Sequence, residues 1–320
     1  MEIFFSSLQS ISTPLLKVFL LGLAGYFIVK FNILNEESLR DLSRLLVNVI
    51  LPCLIFSNIV TKFNPREFPQ WWVFPLLQFL LFGIAFGLGW LITKIKTPFS
   101  ERREFLGLIT FQNGEVFPIA LMVSLFPLMS DKYLVHIMLF NLFSLAVLYS
   151  LGVLLISKKK WQPENLKGIF TPVFISTAVS VLLVLTRVHT YVPGLILEPA
   201  RIVGNCTVPL AMIVMGGVIY NNIKYRANLN RSAIAALALG KLVLLPLLSI
   251  GVIRVFNFTP DIAFIFFLEA TMPPAISFAV LAQAKHGNHR FIGQAIFYIH
   301  ILSMLTIPFF LTFYKILIGW

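Results

Sequence analysis

The stretch Phe111-Gln112-Asn113-Gly114-Glu115-Val116-Phe117-Pro118 lies in the middle of an apolar run over 104–126. A second stretch, Glu269-Ala270-Thr271-Met272-Pro273-Pro274, lies in the middle of another apolar run over 261–283. Each sets polar residues, an acid and proline where about 20 unbroken apolar residues would cross a bilayer. Proline has no N–H for the carbonyl four residues before it. Pro118 therefore frees the carbonyl of Gly114, while Pro273 and Pro274 free those of Glu269 and Ala270. Unwound backbone at membrane depth is tolerated only where it is buried in protein or lines a water-filled cavity. A break also leaves a half-helix N-terminus that attracts anions, beside carbonyls that attract cations. The two stretches predict a functional site at a pair of broken helices.

The rest of the chain places those runs in a membrane. Its apolar fraction is 58% and its charged fraction 12%, against about 45–50% and about 25% in soluble domains. Ten apolar runs occur, near 8–29, 42–61, 70–93, 104–126, 133–156, 169–187, 195–220, 232–253, 261–283 and 291–314. The expected fold is all-α and polytopic, with ten spans joined by short connections. The net charge of +12 does not point to nucleic acid, because the cations sit in short loops between apolar runs. Sixteen Lys and Arg fall after odd-numbered spans, seven on the opposite side, and Lys17 and Lys241 inside spans. Positive loops stay in the cytoplasm, so both termini are expected outside. The first run has no basic n-region and no small-residue cleavage site, and reads as a retained span. Cys53 and Cys206 both lie in apolar runs and read as free thiols.

The two halves of the chain match at a drifting offset. Thr13-Pro14 recurs as Thr171-Pro172, Asn48-x-x-x-Pro52 as Asn205-x-x-x-Pro209, and Phe111 to Pro118 lines up with Phe267 to Pro274. Five spans per half force opposite orientations, the inverted repeat of secondary transporters. The expected halves are residues 1–156 and 169–320, with 157–168 as a cytoplasmic linker. Asn48, Pro52, Asn205 and Pro209 read as structural helix breaks, each proline freeing the carbonyl of its asparagine.

Four ionisable residues lie inside spans: Lys17, Glu115, Lys241 and Glu269. A charge at the bilayer centre costs about 2.5–3.5 kcal/mol on insertion scales. Two acids and two bases sum to zero, so mutual pairing is the cheapest arrangement. Lys17 either snorkels outward or joins the site. Lys241, near mid-span, is expected to pair with an acid and to stand as a tethered cation at the crossing. No Ser/His/Asp set, phosphate loop or metal-ligand spacing occurs in the sequence, so neither enzymatic activity nor a cofactor is expected.

The inverted halves, Asn-x-x-x-Pro in spans 2 and 7, and Gln112-Asn113 followed by Pro118 resemble the auxin efflux carrier family, whose fold is similar to that of bile-acid sodium symporters. The resemblance covers essentially the whole chain. It implies a scaffold of spans 1, 2, 6 and 7, a moving transport domain of spans 3–5 and 8–10, and a homodimer through the scaffold. It also places a substrate carboxylate at Asn113; the half-helix N-termini of the broken spans add Phe117, Pro118, Pro273 and Pro274 as candidates, and the buried charge adds Lys17. For a coupling sodium or proton the resemblance points to Glu269, followed by Ala270, to which the freed carbonyls and buried charges of the sequence add Gly114, Glu115 and Lys241. Glu115 departs from the pattern, since relatives more often carry glycine there. The long central loop of plant PIN carriers is absent between the halves. The expected function is an elevator-type carrier of a small organic anion in the cell membrane. The competing readings are a sodium- or proton-coupled symporter of bile-acid type and a non-transporting membrane sensor.

Overall fold

The computed structural model describes residues 2–95, 101–114, 116–126, 130–156, 170–223, 230–284 and 287–318. The described residues are almost wholly helical. Helix α1 is Glu2–Lys30. It is followed by α2 (Glu36–Leu45), which runs through a π-turn at Leu46–Ile50 into α3 (Leu51–Lys62). Asn35 caps α2 by accepting from the Ser38 N–H at 2.8 Å, and Glu36 and Glu37 complement its dipole. Helix α4 is Val73–Ile95, and α5 (Arg102–Thr110) and α6 (Phe117–Leu125) follow as two short pieces. Helix α7 (Ser130–Phe140) continues through irregular turns and α8 (Ser144–Val147) into α9 (Val153–Ile156).

In the second half, α10 is Pro172–Leu185, and α11 (Gly194–Asn205) breaks at Cys206 before α12 (Thr207–Ile223). Helix α13 (Arg231–Leu239) passes through a π-turn at Gly240–Leu244 into α14 (Leu245–Phe256). Helices α15 (Pro260–Ala270) and α16 (Ile276–Ala284) are again short pieces, and α17 is His289–Ile318. Seven continuous helical stretches are long and apolar enough to cross a membrane, and Pro172–Leu185 is a shorter apolar helix. The runs around 104–126 and 261–283 are not among the seven, because each is split at its prolines.

Backbone contact through glycine ties α1 to α12. A Cβ on Gly216 would overlap the Gly22 carbonyl and lie 2.8 Å from the Tyr26 nitrogen. A Cβ on Gly25 would run into the backbone of Ile213. Small residues let membrane helices approach this closely. Gly204 does the same for α11 and α3, where a Cβ would stand 2.6 Å from the Leu54 Cα. The outer faces carry exposed Leu20, Leu23, Phe79, Trp90, Leu182 and Leu305, as a lipid-solvated surface requires.

The matched Thr-Pro pairs do different work. Thr171 caps α10, accepting from the Phe174 N–H at 3.1 Å, with Pro172 in the first turn. Thr13 and Pro14 lie inside the continuous α1. Asn48 falls in the π-turn before α3, and Asn205 is the last residue of α11.

Candidate functional site

The broken helices meet where their prolines interrupt them. Helix α5 ends at Thr110 and α15 at Ala270, and the extended residues that follow pair across the break. Gln112 and Pro274 form an antiparallel bridge. The Asn113 N–H donates to the Pro273 carbonyl at 2.8 Å, and the Ala275 N–H to the Phe111 carbonyl at 3.0 Å. Backbone groups left outside the helices by the break thus find partners across it. Gly107 packs beneath the ring of Phe278, so α5 lies directly on α16.

One side chain ties the crossing to its neighbours. The Asn141 amide, buried between α7 and α8, donates to the Gly114 carbonyl at 2.9 Å, to the Ile137 carbonyl at 3.1 Å and to Glu269 Oε1 at 2.8 Å. Its oxygen accepts from Gln78 of α4 at 3.2 Å, which fixes the amide's orientation. A Cβ on Gly114 would run into Asn141 Oδ1 and Glu269 Oε2, so a larger residue there would push both side chains aside. Neither Asn141 nor Gln78 stands out in the sequence as a site residue. Each is a lone amide in an apolar run, a signal of polar contact inside the membrane but not of its partner.

Lys241 is fully buried in the π-turn before α14, and its ammonium donates to the Ile109 carbonyl at 2.8 Å. That carbonyl would serve the Asn113 N–H in an unbroken helix, but Asn113 bonds Pro273 instead. The cation therefore sits on the negative end of the α5 dipole. Glu269 is close enough to act on it electrostatically. Lys241 and Glu269 form no direct ion pair, and Glu115, the other acid expected to pair, lies outside the described residues. The freed carbonyl gives the ammonium a partner that costs no second buried charge.

A cavity of about 580 Å³ borders the crossing. One wall comes from Arg40, Arg44 and Asn48 with Ala211, Met212, Met215 and Asn221 of α12. The other comes from Gln112, Asn113, Gly114 and Val116 with Ser144 and Tyr149, and with Ala275, Ile276 and Ser277 at the start of α16. Glu36 and Arg40 of α2 line it too, at the end where α12 finishes.

The predicted residues separate accordingly. Asn113, Gly114, Glu269, Ala270, Pro273 and Pro274 come together at the crossing, with Lys241 beside it. Pro118 is buried in the first turn of α6, and Phe117 packs its ring on Phe19 at 5.6 Å. Lys17 does not line the cavity and is exposed on α1. Asn48 lines the cavity, whereas Asn205 and Pro209 face outward. Pro52 offers its carbonyl to the Ser176 hydroxyl at 2.7 Å. Glu115 lies outside the described residues.

Residues 10–311 match the family described as membrane transport protein. An uncharacterized transporter of Methanothermobacter thermautotrophicus is 25% identical over 92% of this chain and 95% of its own length. Protein PIN-LIKES 1 of Arabidopsis thaliana is 21% identical over 96% of this chain and 79% of its own. An uncharacterized transporter of Saccharomyces cerevisiae is 35% identical, over 35% of this chain and only 20% of its own length. The match takes in α5 to α6 and α15 to α16 with the crossing between them, and the chain belongs to the auxin efflux carrier family of membrane transport proteins.

Proposed function

We propose that the chain is a secondary transporter that moves a small organic anion, a carboxylate, across the cell membrane by an elevator-type motion. The observation that carries this reading is the crossing itself, standing at one wall of a cavity of about 580 Å³. The carboxylate would lie between the half-buried Asn113 amide and the N-terminus of α16 at Ile276 and Ser277, where helix N–H groups favour an anion. Arg40 and Arg44 at the cavity wall would draw anions toward it.

In this reading the ten spans form two inverted halves, 1–156 and 169–320, joined by 157–168. Spans 1, 2, 6 and 7 act as the scaffold, and spans 3–5 and 8–10 move. The close glycine packing of α1 on α12 and of α3 on α11 supports a rigid scaffold. Both termini lie outside, and the cavity opens to the cytoplasm. The scaffold dimerises: Glu198, Arg201 and Asn205 are exposed at helical spacing along α11, and a stripe holding an acid, a base and an amide can pair with its own copy.

Lys241 serves as a built-in cation where a sodium-coupled relative would bind an ion, and Glu269, with Glu115, carries any proton coupling. The position of its ammonium on the α5 C-terminus supports this over sodium symport.

Counterflow of a panel of organic acids in proteoliposomes, with sodium and proton gradients varied separately, tests the reading. Exchange of at least one carboxylate without sodium is expected. Strict sodium dependence would favour symport of bile-acid type, and no exchange of any acid would overturn the proposal.

A further inference from the structure

Gln112 sits in the crossing with its backbone locked in the bridge to Pro274. The residue is only 2% exposed, and neither Oε1 nor Nε2 of its amide has a hydrogen-bond partner. Other buried polar atoms also lack a partner, among them both ring nitrogens of His136 and the hydroxyls of Thr207 and Thr312, but the hydroxyls beside the break do not. The Thr110 hydroxyl donates to the Leu106 carbonyl at 2.6 Å, that of Thr271 to the Leu268 carbonyl at 2.7 Å, and Asn141 uses both ends of its amide. If residue 112 only filled space beside Phe111, an apolar side chain would do it without stranding a donor and an acceptor. Gln112 also lines the cavity, as do Asn113 and Ser144.

We propose that Gln112 reads a hydrogen-bond donor on the substrate, so that the carrier prefers carboxylates bearing a hydroxyl or amino group close to the carboxylate. The inference rests on the carboxylate reading of this cavity. A primary amide presents an N–H donor and a carbonyl acceptor side by side. An ionised carboxylate only accepts: it would satisfy Nε2 and bring its own negative oxygen up to Oε1. A substrate carrying both a carboxylate oxygen and an adjacent O–H or N–H satisfies the two ends together. Sites that hydrogen-bond a substrate group reject analogues lacking it, because their own buried polar atoms are then left unpaired. Asn113 and the α16 N-terminus hold the carboxylate whether or not the donor is present, so affinity and selectivity fall on different residues.

Matched pairs of acids test this by titration calorimetry on the intact purified protein: lactate against propionate, and 3-phenyllactate against 3-phenylpropionate. The wild-type protein should bind the hydroxylated member of at least one pair about tenfold more tightly, the order of one hydrogen bond. Gln112→Met, close in volume, and Gln112→Leu should bring that preference within about twofold. Equal wild-type binding of both members, or a preference that survives either folded variant, would overturn the role of Gln112 and leave the carrier reading standing. Binding of no acid by the wild-type protein overturns the carboxylate reading, and this inference with it.

Discussion

At the scale of single residues, the crossing depends on groups that stop it from coming apart. Asn141 reaches Gly114 across 27 residues and Glu269 across 128. Asn141→Leu should lower the melting temperature and abolish transport, since a hydrogen bond to a charged group contributes about 1.5–3 kcal/mol. Wild-type melting with this variant would show that the amide does not hold the crossing. Lys241 makes a sharper case. Removing its ammonium strips the cation from the α5 C-terminus and with it the field it places on Glu269, and a hydrogen bond from a charged group contributes about 1.5–3 kcal/mol. Lys241→Ala should therefore melt well below wild type, and Lys241→Ala with Glu269→Gln should regain part of the loss. Additive destabilisation in thermal melts of the two singles and the double would rule out the built-in cation. Asn113, Gly114 and Glu269 could be picked out of the sequence because they sit beside prolines that explain them. Asn141 and Gln78 could not, because the groups they serve are set by folding and lie far along the chain.

The elements were legible wherever the backbone announces its own interruption. Proline at 118, 273 and 274 marks both broken helices: α6 begins at Phe117, α15 ends at Ala270 and α16 begins at Ile276, while α5 ends earlier, at Thr110. The π-turns at Leu46–Ile50 and Gly240–Leu244 each precede a proline, Pro52 and Pro246, yet proline alone does not distinguish a kink from a π-turn. The tight seam between α1 and α12 was not legible either. Gly22, Gly25, Gly216 and Gly217 signal that some backbone comes close, without saying which. The seam makes its own prediction. Gly216→Leu puts a branched side chain where even a Cβ meets the Gly22 carbonyl. Overpacking of this kind costs about 1–3 kcal/mol or more. The variant should melt lower and transport poorly, while Gly83→Leu, on an open face of α4 with nothing near its Cβ, should behave as wild type. Equal melting of the two variants would mean that α1 and α12 part freely.

Over the whole molecule, charge and contact agree about which ends belong together. The Lys62–Asp131 pair and the Lys132–Asp261 pair, at 2.7 Å, bring the end of α3 and the starts of α7 and α15 to one face. Asn230 meets Glu101 at 3.1 Å, and the Asn288 N–H meets Glu104 at 3.2 Å, which gathers the starts of α5, α13 and α17 together. The second group carries Arg102, Arg103, Arg231 and Arg290 in its helix starts, and these belong to the loops richer in cations. The alternation of spans along the chain is enough to say which helix ends share a face. Which face is cytoplasmic rests on the bias of sixteen cations to seven. Single cysteines decide it, introduced after Cys53→Ser and Cys206→Ser, since both native thiols are partly or fully exposed. Glu37→Cys, on the exposed start of α2, should react with an impermeant maleimide only in inside-out vesicles. Arg66→Cys, exposed between α3 and α4, should react only in intact cells. Glu37 and Arg66 lie at opposite ends of one continuous helical stretch, so labelling of both from the same side would break the span between them. Labelling of each from the side opposite to that expected would invert the molecule, turn the cavity mouth outward, and remove the charge argument for a cytoplasm-open state.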